Sequence, residues 1–338
     1  MQIEYYPYTL QLKHTFTIST YSRNSTPAVL IELKDGGITG HGEISMPQYL
    51  GETVESASAF LNKADLSQFN IADGIDKPLD YVNSLSDGNC AAKAGLDIAL
   101  HDLYGKFIQA PAREIYSIPG GESPAISFTI GIDREDVLIK KIGEAAEFKI
   151  LKIKLGTVDD KGIIEAIRRI TDKSLIVDIN QGWDEKNYAL DMAHYLKEMG
   201  VLLIEQPFKK EDRAAQQWLC ERSPIPVFAD ESVQRLKDIE GARGLFHGIN
   251  IKLMKCTGMR EAYSMIIKAR EYGMKVMLGC MTETSCAIAA AAQISPLADY
   301  ADLDGNLLIS NDPFEGVELK EGKIILNSRP GLGIEKIT

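Results

Sequence analysis

Short apolar runs recur along the second two-thirds of the chain at intervals of about 25 residues. Eight of them stand at 126–132, 150–155, 175–180, 201–206, 227–230, 249–253, 275–279 and 300–304. Most segments between them carry apolar residues near the helical period, for example 163–170, 188–199 and 260–272. Strands alternating with helices predict repeated βα units and a parallel sheet. Eight such units, the last incomplete, predict an α/β fold of the TIM type, a barrel of seven to eight βα units.

The first third follows another pattern. Residues 2–13 alternate, 27–33 form a second β-prone run, and Asp35-Gly36-Gly37 turns the chain into a third at 38–44. Between the first two runs, 19–26 reads as a polar loop holding one cation, Arg23. Helical patterns follow at 52–63 and 89–106; in the second, Ala91, Ala94, Leu96, Ala99, Leu100 and Leu103 keep the period and Gly105 marks the end. Beyond Gly305 the chain turns polar, and 318–326 reads as a hairpin. The expectation is an α+β capping domain over residues 1–122, a barrel over 123–305, and a tail over 306–338 that returns to the capping domain.

Composition narrows the partners. A chain of 338 residues with 45% hydrophobic and 25% charged content is long enough for one large domain and a smaller one. A formal net charge of -11 argues against nucleic acid or an anionic membrane as partner. No apolar run approaches the ~20 residues of a membrane-spanning helix; Ala287 to Ile294 comes nearest. Met1-Gln-Ile-Glu-Tyr-Tyr-Pro7 lacks the basic and apolar regions of a secretory signal. Cys90, Cys220, Cys256, Cys280 and Cys286 are scattered and odd in number, which fits a reducing cytoplasm without disulfides or a zinc site. Oligomeric state is left open, a homo-oligomer included.

The chemistry lies in what closes the runs. In Ile150-Leu-Lys-Ile-Lys-Leu-Gly156, Lys152 and Lys154 share one face of a strand. Alone, a Lys-x-Lys pair is ordinarily an edge strand showing its lysines to water. Here the next three runs end in Asp178, Glu205 and Asp230, and the one after in Lys252. Polar groups at the C-terminal ends of successive parallel strands converge on one mouth. Three bare carboxylates there would repel one another unless a cation neutralised them, and an all-oxygen set suits Mg²⁺. His14, His41, His101, His194 and His247 fall elsewhere, which counts against zinc or non-haem iron.

Lys154 precedes the metal strands and Lys252 follows them, so the two are expected to flank the metal on opposite sides. A free lysine is protonated at neutral pH; like-charge repulsion from Lys152 and a nearby Mg²⁺ would lower its pKa. A metal with one base on each side describes removal of a proton α to a carboxylate and its return from the other face, through an enediolate. That is racemisation or epimerisation. Asp302 and Asp304, on one face of the eighth run, would suit a substrate ammonium group, or else a turn ahead of Gly305.

Lys152-Ile-Lys154, Asp178-Ile-Asn180, Glu205-Gln-Pro207, Asp230-Glu-Ser232 and Asn250-Ile-Lys-Leu-Met-Lys255 stand in an order that resembles the enolase superfamily, within it the muconate-lactonizing-enzyme subgroup, over essentially the whole chain. The resemblance implies a capping domain that covers the barrel mouth and sets specificity. It further implies a Mg²⁺-dependent dipeptide epimerase of the L-Ala-D/L-Glu type, with Asp302-Leu-Asp304 holding the substrate's ammonium. Lys154 and Lys252 are then the acid/base pair and Lys152 touches the reacting carboxylate. Thr129 and Cys280 line the pocket, and Arg23 pairs with the glutamate side chain. N-acylamino-acid racemases and o-succinylbenzoate synthases of the same subgroup are the alternatives. The synthases, like the cycloisomerases of the subgroup, have no obvious need for two aspartates around an ammonium; the racemases are closer, but their substrate amine is capped and neutral.

Overall fold

The structure, a computed structural model, describes residues 1–17, 22–46, 48–131 and 133–337. The predicted barrel strands are Ser127–Ile130, Ile150–Lys154, Ser174–Asp178, Val201–Glu205, Val227–Ala229, Gly248–Lys252, Lys275–Gly279 and Tyr300–Asp302. We refer to them as the first to eighth strands. They pair in chain order as one sheet of parallel neighbours. A parallel bridge between Ile126 and Ala301 joins the eighth strand to the first, so the ring is nearly closed. Residue 132, expected in the first strand, lies outside the described residues.

Helices including Glu135–Glu144, Asp160–Ile170, Lys186–Glu198, Met259–Glu271 and Ser285–Ile294 follow individual strands. After the eighth strand there is only a 3₁₀ turn, Gly305–Leu308. Alternation along each strand sorts the side chains into two sets. Leu151, Ile153, Leu175 and Val177 join the large core shared with the helices. Ile176, Leu203, Phe228 and Met277 form a separate cluster, as side chains inside a barrel do. Asp178, Glu205 and Asp230 stand two residues beyond Ile176, Leu203 and Phe228, and so on the same face. The carboxylates therefore lie directly above an apolar plug. Gly156, after the second strand, has φ +86°, and a Cβ there would meet the Ile179 carbonyl oxygen at 2.3 Å, so only glycine allows this turn.

The N-terminal unit is a separate antiparallel sheet of Gln2–Thr17, Ser22–Asp35 and Ile38–Ser45, with helix Cys90–Phe107 packed on it. Its strands outrun the sequence expectation. Residues 22–26, read as loop, belong to the second strand, and Arg23 pairs with Phe16 across a register shift that follows Gln11. The polar composition hid this strand, because a bulged edge exposes side chains on both faces. Residues 19–21 of the expected loop lie outside the described residues. The predicted 318–326 hairpin is present as Glu318–Lys320 and Lys323–Leu326, and it pairs with Gly121–Glu122. Farther along, Leu332 N–H donates to Asp102 at 2.8 Å, and Lys336 pairs with Glu32 at 2.6 Å, tying the tail to the N-terminal unit. No helix among the described residues is long and apolar enough to cross a membrane.

A carboxylate latches the N-terminal sheet to the barrel. Glu43, fully buried, accepts from Thr284 N–H at 2.9 Å, Thr284 Oγ1 at 2.5 Å and Ala287 N–H at 3.3 Å, at the start of helix Ser285–Ile294. Burial nonetheless pushes its carboxyl up to about 7, and burial with the neighbouring Glu43 pushes Glu283 up to about 8. Both carboxyls hold protons in the folded state at pH values where the unfolded chain has released them. Their stabilising share is complete below about pH 4.3 and is lost as pH rises through about 7 to 8. We expect the melting temperature to fall between pH 6 and 8.5, with Glu43→Gln flattening that slope by an amount on the order of 1–3 kcal/mol. Calorimetric melts of both proteins across this range provide the check; an unchanged slope in the variant contradicts the assignment.

Candidate active site

Successive strand ends are locked to one another before any substrate is considered. Gln206, just past the fourth strand, accepts through Oε1 from the N–H groups of Asp230 and Ser232, both at 3.0 Å. Its amide donates to Ser232 Oγ at 2.8 Å and to the Phe208 carbonyl at 3.0 Å. This explains the Glu-Gln-Pro and Asp-Glu-Ser motifs as one crosslink between the fourth and fifth strands. Asn180, Gln181 and Gln206 have positive φ of 47°, 66° and 38°, an uncommon conformation for residues with a side chain. The chain bends sharply there, immediately after two of the carboxylates, as strained backbone often does beside a site.

The ligand oxygens of Asp178, Glu205 and Asp230 lie within 4.8 Å of one another, and all three residues are buried. Asp178 and Glu205 are 0% exposed, which places them beneath the cavity floor; Asp230 reaches the cavity wall. Three converging carboxylates without histidine or cysteine fit a hard divalent cation such as Mg²⁺. Asn250 Nδ2 donates to Glu205 at 2.7 Å and holds that carboxylate in place. Room for the Asn250 side chain comes from Gly279 on the seventh strand, where a Cβ would meet its Oδ1 at 2.5 Å.

Lysines surround this triad. Lys154 Nζ lies 2.7 Å from Asp178 Oδ2, and Lys252 Nζ lies 2.8 Å from Asp230 Oδ2. The two stand on the second and sixth strands, half a turn apart in the eight-strand ring. Lys152 Nζ sits among Glu205 at 2.7 Å, Asp302 at 2.8 Å and Asp178 at 3.2 Å. Lys255, three residues after Lys252 in the turn that follows the sixth strand, is buried and donates to Asp230 Oδ1 at 2.5 Å. It also reaches the carbonyls of Asp230, Asn250 and Val233 at 2.8, 2.9 and 3.1 Å. Asp230 thus gives one oxygen to each of two lysines.

The charges shift accordingly. Burial works against the ammonium of Lys152, but Asp302, Glu205 and Asp178 overcome it and hold the group well above the ordinary lysine range. Lys252 is likewise raised against burial, chiefly by Asp230. Around Lys152 the carboxylates on neighbouring strands outweigh the single like charge along its own strand. Burial opposes ionisation of Asp178, yet Lys154 and Lys152 draw it down to about 2. Asp230 is held well below the usual carboxylate range against burial, by Lys252 and Lys255. Glu205 goes the other way, up to about 7, through burial and the charge of Asp178.

A cavity of about 510 Å³ opens above. Lys152, Lys154, Asp230 and Lys252 form one part of its wall, and the other predicted residues Arg23, Thr129, Cys280, Asp302 and Asp304 line it as well. Asp302 accepts from Ser127 Oγ at 2.6 Å and from Lys152. Asp304 accepts from Thr129 N–H at 2.6 Å, while burial and the charge of Asp302 push it up to about 7. A buried carboxyl so placed is ready to take a cation. Arg23 Nη2 donates to Thr282 Oγ1 at 2.9 Å, and its guanidinium lies 5.7 Å from the Phe16 ring centroid.

Sequence reasoning missed several wall residues. Glu231 has its Oε2 buried without a hydrogen-bond partner, and burial with the Asp230 charge pushes it up to about 8. Tyr49 presents a half-exposed ring, but its hydroxyl end points inward, 3.4 Å from Met281 Sδ. Glu231 and Lys255 stood inside the motifs and were legible as neighbours of named residues; Tyr49 carried no signal.

Residues 7–115 match the mandelate racemase / muconate lactonizing enzyme N-terminal domain family, and residues 137–336 match the enolase C-terminal domain-like family. Over 338 residues the chain is 56% identical to the L-Ala-D/L-Glu epimerase of Bacteroides thetaiotaomicron, covering 100% of this chain and 88% of that protein. Among solved structures it resembles the substrate-liganded L-Ala-D/L-Glu epimerase of Bacillus subtilis, with TM-score 0.93, 26% identity, and coverage of 100% and 99% of the two chains. It also resembles the Enterococcus faecalis dipeptide epimerase complexed with Mg and L-Leu-L-Tyr, with TM-score 0.91, 29% identity, and 98% of each chain covered.

Proposed function

Because this chain belongs to the enolase superfamily, in its mandelate racemase / muconate lactonizing enzyme branch, we propose that it epimerises dipeptides of the L-Ala-D/L-Glu type at the α-carbon of their C-terminal residue. One observation carries this reading: two lysines face each other across a carboxylate triad, with a second, separate acidic pair on the same cavity. Residues 123–305 would supply the chemistry, with 1–122 and 306–338 closing over it.

The dipeptide ammonium lies against Asp302 and Asp304, where a cation relieves the crowding that holds Asp304 protonated. Its C-terminal α-carbon lies between Lys154 and Lys252. One lysine takes the α-proton from its face and the other returns a proton to the opposite face. Lys152, kept charged by its carboxylates, contacts the reacting carboxylate of the substrate. Arg23, steered by Thr282, meets the side-chain carboxylate of a glutamyl residue. Asp178, Glu205 and Asp230 would hold Mg²⁺, which when bound supplies positive charge where the substrate carboxylate gathers electrons. Five thiols without a disulfide support a cytoplasmic setting.

Incubating the protein with Mg²⁺ and a dipeptide library in D₂O, with mass spectrometry for α-deuterium, tests the reading. L-Ala-L-Glu and L-Ala-D-Glu should each gain one deuterium and interconvert. N-acetylation removes the charge that Asp302 and Asp304 are placed to meet. It should lower kcat/KM by roughly a hundredfold or more, as the loss of a buried charge partner worth about 3 kcal/mol would. Equal rates for free and N-acetylated dipeptides point instead to an N-acylamino-acid racemase.

A further inference from the structure

Each carboxylate of the triad has its two oxygens in different company. One of the two faces a cavity lysine: Asp178 Oδ2 lies 2.7 Å from Lys154, Glu205 Oε2 2.7 Å from Lys152, and Asp230 Oδ2 2.8 Å from Lys252. The other accepts from a fixed donor: Asp178 Oδ1 from the Asn180 N–H at 3.0 Å, Glu205 Oε1 from Asn250 Nδ2 at 2.7 Å, and Asp230 Oδ1 from Lys255 at 2.5 Å. We propose that Lys255 is a positioning residue which, with Asn250 and the Asn180 N–H, withholds one oxygen of every carboxylate and so makes the site select a small six-coordinate cation over a larger one. The inference rests on the metal reading of the triad, not on the identity of the substrate, and adds what in the chain sets the choice of ion.

Lys255 is fixed where the other lysines are not. An ammonium has three hydrogens, and Lys255 Nζ has four acceptors around it, Asp230 Oδ1 and the carbonyls of Asp230, Asn250 and Val233. Its side chain is 1% exposed, so it has nothing left to offer a substrate, and swinging away would strand three buried carbonyls. Lys252, by contrast, lines the cavity beside the second Asp230 oxygen. Asn250 ties the two anchors together. Its carbonyl accepts from Lys255 while its side chain holds Glu205, so two of the three carboxylates share one support.

This division limits what the triad can hold. An oxygen 2.5 Å from an ammonium cannot also approach a divalent cation without the two charges repelling. Asp230 therefore offers Oδ2 alone, and the same division at Asp178 and Glu205 leaves one oxygen from each residue. Glu205 Oε2 is buried without a hydrogen bond and meets only the Lys152 ammonium. Mg²⁺ takes about six oxygens in near-octahedral array, whereas Ca²⁺ takes roughly six to eight and readily uses both oxygens of a carboxylate. Three single oxygens with water or substrate suit the first ion and leave the second short of ligands.

Calorimetric titration of Mg²⁺ and of Ca²⁺ into the metal-free, substrate-free protein reads the selectivity. The unmodified protein should bind Mg²⁺ at least tenfold more tightly than Ca²⁺. In Lys255→Met, which keeps the side chain's length and removes the ammonium, that preference should fall at least tenfold. Asn250→Leu removes only the donor to Glu205 and should lower it at least threefold. Loss of a positive charge tightens both ions and a general loosening weakens both, so neither moves the ratio. A smaller shift in folded Lys255→Met overturns the role of Lys255; where that variant does not fold, a smaller shift in Asn250→Leu overturns the withheld-oxygen account. A preference below tenfold in the unmodified protein overturns the selection outright, whatever the variants do. Binding of neither ion removes the metal site itself, and the inference with it.

Discussion

Asp230→Asn should lower kcat/KM by at least a thousandfold and weaken Mg²⁺ binding at least a hundredfold. The substitution keeps the side chain's shape and removes one of three charges whose oxygens lie within 4.8 Å of one another. Metal stabilisation of a developing charge is worth several kcal/mol, and each 1.36 kcal/mol is a tenfold change in rate. The variant also strips the countercharge from Lys252 and Lys255, which sit 2.8 and 2.5 Å from the two Asp230 oxygens. Calorimetric titration of Mg²⁺ into protein verified as folded separates lost metal binding from lost structure. Chelation of the unmodified protein with EDTA should abolish turnover, and added Mg²⁺ should restore it. Full activity after exhaustive chelation would remove the proposed chemistry.

The second large effect belongs to the lysines. Lys154→Ala or Lys252→Ala should block net epimerisation by at least a hundredfold to ten-thousandfold, the range for loss of a positioned acid or base. Their partial reactions should differ. The second and sixth strands stand half a turn apart, so in the proposed reaction each lysine serves one face of the α-carbon. With one lysine gone, only the epimer whose hydrogen faces the other still exchanges with solvent. Proton NMR in D₂O, with each variant and each epimer separately, should show complementary patterns. Interconversion at the unmodified rate in Lys252→Ala would remove it as a base and leave one-base chemistry.

The barrel was legible because strands in a parallel sheet, buried on both faces, leave compact apolar runs, and because the step of two from Ile176 to Asp178, Leu203 to Glu205 and Phe228 to Asp230 is written in the sequence. Helix Ser285–Ile294 was harder. All ten of its residues are buried, so no polar face marks its period, and it registers only as an apolar run. Arg23 defeated the reading of its backbone, since a bulged polar strand resembles a loop, though it lines the cavity. The acidic surroundings of Lys152 were out of reach for another reason. Lys152 and Lys154 are neighbours along the chain, but Glu205 and Asp302 come from elsewhere in the ring, and only closure of the ring brings them within 2.8 Å of Lys152.

Closure of the ring has a consequence of its own. A barrel must be joined somewhere, and here the join is slight: beyond the Ile126–Ala301 bridge, the first and eighth strands are held by Ser127 to Asp302 and by Thr129 to Asp304. These aspartates are the pair assigned to the substrate's amine. Under the proposed function the same two side chains act as clasp and as receptor, and an open clasp has no receptor. Local opening at this seam and affinity for the amine are then linked in opposite directions. On the proposed function, a dipeptide that seats its ammonium draws the two ends of the sheet together, and a loosened seam costs affinity for free amines.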